Sequence, residues 1–117
     1  MISGLDFVML HVPNIDQART FYTEKLGFVV EDQMPGFVQF KRNGETSAIF
    51  ALQEDKEVAP HSGVELWWIV DNADATYAAL VSLGVEIVSR PADEPFGRAF
   101  VIKDPAGNEI NMFQPRG

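Results

Sequence analysis

Leu26-Gly27-Phe28-Val29-Val30 and Leu83-Gly84-Val85-Glu86-Ile87-Val88 are two versions of one pattern. In each, an amphipathic helical segment stops at Leu-Gly and an apolar run of strand character begins. Glycine ends a helix cheaply because it enters the left-handed region without a Cβ clash. The two copies stand about 57 residues apart in a chain of 117, the signature of a duplicated supersecondary unit. Extended in both directions, each copy reads as strand, helix and three more strands. The first module covers about 5–52, a linker covers 53–63 and the second module covers about 64–113. The expectation is an α+β fold, a single domain over 1–117, with two βαβββ modules whose curved mixed sheets form a cleft.

Local signals set the elements. Leu5 to Val12 is apolar and stops at Pro13, as a strand does. Asn14 is placed to cap a helix in which Ile15, Ala18, Tyr22 and Leu26 share a face, widened by Phe21. Strands follow at Phe28–Glu31, Gly36–Lys41 and Thr46–Leu52, with a turn at Met34-Pro35-Gly36 and a hairpin signal at Asn43-Gly44. Val64–Val70 opens the second copy, and a helix begins near Asp71 or Asn72. Strands at Val85–Ser89, Arg98–Lys103 and Asn108–Gln114 complete it, with a polar loop over Pro91–Gly97 and a turn at Asp104-Pro105-Ala106-Gly107.

Composition narrows the function classes. The net charge is −8, from 17 acidic and 9 basic residues, a surface poorly suited to nucleic acid, which needs clustered positive charge. The absence of cysteine removes disulfides, zinc–thiolate sites and thiol nucleophiles. No apolar run approaches the ~18 residues of a membrane span, and the start runs straight into the first strand without a signal segment. A cytoplasmic location is the resulting expectation.

Val12-Pro13-Asn14, Phe21-Tyr22, Lys25-Leu26-Gly27-Phe28, Val70-Asp71-Asn72 and Asp104-Pro105-Ala106-Gly107-Asn108-Glu109 occur in an order that resembles the vicinal oxygen chelate superfamily. That superfamily groups glyoxalases, extradiol dioxygenases, fosfomycin-resistance enzymes and bleomycin-resistance proteins. The resemblance implies paired modules around a U-shaped cleft and a homodimer. In the metalloenzymes it also implies a divalent ion held by His, Glu or Gln from the first and last strand of each module. The matching positions here are Phe7, a residue near Phe50, Glu65 and Asn111. Phenylalanine carries no lone pair for a cation, so the resemblance leans to the metal-free, bleomycin-resistance-like members, with no cofactor expected. His11 is a strained substitute at its strand's end, and His61 reads as a solvated linker residue.

Strand alternation assigns Phe7, Met9, Glu65, Trp67, Ile69, Asn111 and Phe113 to the cleft and Val8, Leu10, Val12, Leu66, Trp68, Val70, Ile110 and Met112 to the helix side. The candidate ligand-binding set is Phe7, Met9, Phe50, Glu65, Trp67, Arg98, Asn111 and Phe113. Glu65, buried among rings, would be the candidate acid or base, or a holder for a ligand cation; pairing with Arg98 or Asn111 is its structural alternative. Arg98 is read as a carboxylate clamp or as a surface ion pair. Two function classes stay open. The favoured one is a metal-free binding protein for a hydrophobic or cationic aromatic small molecule. The other is a glyoxalase-like lyase or isomerase, or a ring-cleaving dioxygenase, using a divalent metal or Glu65.

Overall fold

The computed structural model describes residues 1, 6–42, 48–58 and 65–116. Two compact units, Met1–Val58 and Ala59–Gly117, repeat one topology. The first contains β1 (Phe7–Val12), α1 (Ile15–Thr20) continuing into a π-helical segment (Phe21–Lys25), β2 (Val30–Met34), β3 (Phe37–Phe40) and β4 (Ile49–Glu54). The second contains β5 (Leu66–Ile69), α2 (Ala73–Ser82), β6 (Glu86–Glu94), β7 (Gly97–Lys103) and β8 (Glu109–Pro115). The sheets have equivalent strand orders, β1-β4-β3-β2 and β5-β8-β7-β6. In each the first strand pairs in parallel with the last, and the remaining pairs are antiparallel. The α+β reading with two βαβββ modules therefore holds.

Both helices start in the same way. The side-chain oxygens of Asn14 and Asn72 accept from the N–H groups of Gln17 and Ala75, each at 3.0 Å. A second acceptor comes from the end of the last strand. Glu54 Oε2 takes the Ile15 N–H at 3.3 Å, and Gln114 Oε1 takes the Ala73 N–H at 2.8 Å. These bonds satisfy N–H groups that a helix start leaves without an intrahelical partner, and they tie each helix to its sheet. The Lys56 ammonium, and after it the Ile15 N–H, hold the Glu54 carboxyl below its usual value.

The copies differ by one residue. Asn14 and Asn72 are separated by one position more than Gly27 and Gly84 are. The first helix absorbs the resulting extra residue as its π-helical segment, whereas α2 is regular. Both helices then end before a glycine at positive φ, Gly27 at 80° and Gly84 at 78°.

The cores use different chemistry on the same frame. In the first unit Tyr22, Phe28, Phe40 and Phe50 cluster between helix and sheet. Tyr22 and Phe50 have ring centroids 5.3 Å apart, and Phe40 stacks on Phe50 at 5.7 Å. In the second, Leu80, Val85, Phe100, Ile102, Ile110 and Met112 are buried, and Tyr77 meets Phe100 edge-on at 5.7 Å. The β7–β8 turn is locked by buried Asp104, whose Oδ1 accepts from the N–H groups of Ala106 at 3.0 Å and Asn108 at 2.8 Å.

Several boundaries depart from the sequence reading. β4 runs on through Gln53 and Glu54, which the reading placed in the linker. β6 continues to Glu94 through Pro91, where a polar loop was expected, and only Pro95-Phe96 forms the turn. Pro91 is tolerated because β6 is an edge strand whose pairing with β7 shifts between Ser89 and Ala92. The Asn43-Gly44 hairpin signal, the linker over 59–63 with His61, and the strand beginnings at Leu5, Thr46 and Val64 lie outside the described residues. Among the described residues no helix is long and apolar enough to cross a membrane.

Gly97 opens β7 at a φ of 151°, and a Cβ there would meet the Gln114 carbonyl oxygen well inside van der Waals contact. Gly97→Ala should therefore destabilise the fold by about 2 kcal/mol or more, read as a lower midpoint in urea denaturation. An unchanged midpoint would show that the β7–β8 edge yields easily.

Candidate functional site

Each sheet packs one face on its helix and presents the other away from it. In the second unit Leu66, Trp68, Phe100, Ile102, Ile110 and Met112 are on the helix side and half-buried or buried. The opposite face carries Trp67, Ile69, Asn111, Phe113, Ala99 and Val101, because paired residues share a face and Trp67 pairs with Asn111 and Ile69 with Phe113. The sequence placement of Trp67, Asn111 and Phe113 on one face agrees with this register.

Three rings meet there. Trp67 and Phe113 have centroids 5.9 Å apart, Trp67 and Phe96 5.6 Å, and Phe96 and Phe113 6.1 Å, all edge-to-face. Trp67 remains 45% exposed and Phe96 47%, with Ile69 beside them at 70%. Such a group of large apolar side chains, held by each other yet open to water, offers ring faces to a planar or cationic ligand. Phe96 was absent from the sequence-based set. Its only signal was a place in the Pro91–Gly97 segment, and the β6–β7 hairpin is what carries it to Trp67. Trp68 points to the helix side, so the adjacent tryptophans do not form one surface.

Other members of the set lie elsewhere. Phe50 is 3% exposed and belongs to the aromatic core against Tyr22, so it is not a ligand contact in this structure. Parallel register explains the correction: Phe7 pairs with Ile49 and Val8 with Phe50, which puts Ile49, Ala51 and Gln53 on the open face of β4. Met9 is exposed on that face, 40%, with Ala51 and Gln39 following it in register. Phe7 is described by its backbone alone. Arg98 lies on the helix side, where its Nε donates to Asp74 at 3.1 Å and its Nη1 to Asp93 at 2.9 Å. Asp93 first and Asp74 second hold the guanidinium above its usual value. It is an ion-paired brace between β6, β7 and α2 rather than a clamp beside Trp67.

Glu65 is exposed just before β5, not buried among rings as the sequence reading expected. Neither of its expected partners is engaged with it. Arg98 pairs with the two aspartates, and Asn111 Nδ2 donates to the Leu66 carbonyl at 3.2 Å. The metal positions implied by the resemblance are thus two hydrocarbon residues in register, Phe7 and Ile49, an exposed carboxylate and an amide already bonded to the backbone. This donor set does not fit a divalent ion, which usually takes three or four protein ligands. Among the described residues, no three His, Asp or Glu side chains converge.

Solved structures resemble this chain over nearly its full length. UcmS2 shares 30% identity at a TM-score of 0.79, with 97% of this chain and 98% of that one covered. TnmS3, an antibiotic binding protein from Streptomyces sp. CB03234, shares 29% identity at a TM-score of 0.80, with 98% of each chain covered. A glyoxalase/bleomycin resistance protein/dioxygenase from Nocardioides shares 26% at 0.77, covering 98% of this chain and 85% of that one. No curated protein is significantly similar in sequence. The Glyoxalase family model, which describes the glyoxalase/bleomycin resistance protein/dioxygenase superfamily, matches residues 4–112. Two βαβββ units in tandem and a family match across almost all of both units lead to one conclusion: the chain belongs to the glyoxalase/bleomycin resistance protein/dioxygenase superfamily.

Proposed function

We propose that this protein binds a hydrophobic or cationic aromatic small molecule on the open face of its second unit, without a metal and without catalysing a reaction. The observation that carries the proposal is the exposed Trp67 held edge-on by Phe96 and Phe113. Its indole presents a π-face that needs little reorganisation to stack on a ligand. Ile69 and Phe113 supply apolar area, and the net charge of −8 attracts a cation at long range. The similarity to TnmS3, itself an antibiotic binding protein, supports the class of function. Antibiotics are one kind of ligand within that class. An acid–base role for Glu65 would need the desolvation that its exposed position lacks. We also propose a homodimer, as the family resemblance implies, and a cytoplasmic location.

Titration with a panel of planar aromatic compounds, neutral and cationic, should quench tryptophan fluorescence saturably. Trp67→Ala should weaken binding by about tenfold in equilibrium dialysis. No response across the panel, or unchanged affinity in the variant, would overturn the reading. Metal analysis of protein purified without chelator should find far less than one equivalent per chain. About one equivalent of Fe, Zn, Mn or Ni would instead establish a metal site. Static light scattering at micromolar concentration should give twice the chain mass of 13.0 kDa, and a monomer would remove the dimer from the proposal.

A further inference from the structure

The first unit carries a polar arrangement on its own open face. His11 Nδ1 lies 3.3 Å from Asp55 Oδ2, and the two side chains are 47% and 43% exposed. Asp55 is fixed from two directions. Its backbone N–H donates to the Val12 carbonyl at 2.8 Å, and its Oδ1 accepts the Glu57 N–H at 3.1 Å. The Glu57 N–H first, and His11 second, hold this carboxyl below the usual range. An ionised Asp55 can only accept, so it selects the imidazole form with hydrogen on Nδ1. A neutral ring of that form carries its lone pair on Nε2.

Register supplies the rest of the site. His11 pairs with Gln53, Gln53 with Phe37, and Phe37 with Met34, one row across all four strands on the open face. At ~4.8 Å between strands the row runs about 14 Å, polar at the β1 end and apolar at the β2 end. Met34 is 58% exposed and Met9, two residues before His11 on the same face, 40%. An anionic ligand is disfavoured by the Asp55 carboxylate and the net charge of −8. A neutral ligand with a hydrogen-bond donor on a flat ring matches the row at both ends.

We propose that the His11–Asp55 pair is a binding site for a phenolic hydroxyl, the O–H donating to His11 Nε2 and the ring lying along Gln53 towards Phe37. This site is separate in chemistry from the Trp67 face and stands or falls without it. Both tryptophans are in the second unit, and of the two histidines only His11 belongs to this pair, so its imidazole resonances, told apart from those of His61 by their loss in His11→Ala, report on this site.

The test compares 4-methylphenol, which stays neutral near pH 7, with 4-methylanisole, which keeps the ring and lacks the donor. Binding is followed by dialysis and by the imidazole ¹⁵N resonances of the full chain. The expected result is an Nδ1–H tautomer at His11, a saturable shift of its Nε2 resonance by the phenol, and a preference for the phenol of about fivefold. His11→Ala should abolish the preference with far-UV circular dichroism unchanged. Asp55→Asn presents an amide donor to Nδ1, moves the ring hydrogen to Nε2, and should also abolish it. Equal binding of the two compounds, an Nε2–H tautomer in the unsubstituted protein, or a preference that survives His11→Ala would each overturn the proposal. A pair that merely ties the strand end to the turn would leave the discrimination unmoved.

Discussion

The parallel pairing of the first strand with the last constrains everything else in each unit. β4 enters between β1 and β3, and β8 between β5 and β7. Parallel neighbours cannot be joined by a tight turn, so the helix and two further strands must intervene. The pair also fixes where the helix begins. Glu54 and Gln114, at the ends of β4 and β8, each supply an oxygen to the first N–H of the helix following β1 or β5. Strand register and helix placement are thus one constraint, met twice by different residues.

Sidedness follows from that register. A parallel pair keeps paired residues on one face, so the hydrocarbon of Phe50, Leu52, Ile110 and Met112 is committed to the helices. The other face is left to Met9, His11 and Gln53 in one unit and to Trp67, Asn111 and Phe113 in the other. A shift by a single residue would exchange these sets. That is the distance separating Phe50 in the aromatic core from Ile49 and Ala51 on the open face. The cost of exchanging them would include expelling a stacked ring from between Tyr22 and Phe40.

The two faces differ in chemical character because the copies have diverged where the frame does not constrain them. The caps Asn14 and Asn72, the glycines at the helix ends and the strand order are retained. The first core is centred on a cluster of rings and the second mainly on aliphatic chains. One extra residue in the first helix is taken up as a π-helical segment without altering strand order. Fold alone does not specify chemistry, so any difference in what the two faces can bind resides in such face residues.

Sequence by itself determined the repeat, the α+β class, both helix starts and the alternation of β1, β5 and β8, because caps, glycine stops and period-two patterns act within a few neighbouring residues. It also showed that Phe7 cannot ligate an ion, a matter of side-chain chemistry. Only tertiary structure decided the offset of β4 against β1, which moved Phe50 into the core, because Ala48–Leu52 is apolar throughout and carries no alternation to read. Only tertiary structure brought Phe96 to Trp67, joined Asp55 to His11, and gave Arg98 to Asp74 and Asp93 rather than to Glu65. Each of these contacts depends on where a hairpin or strand end arrives across the sheet, and local sequence preference holds no record of that distance.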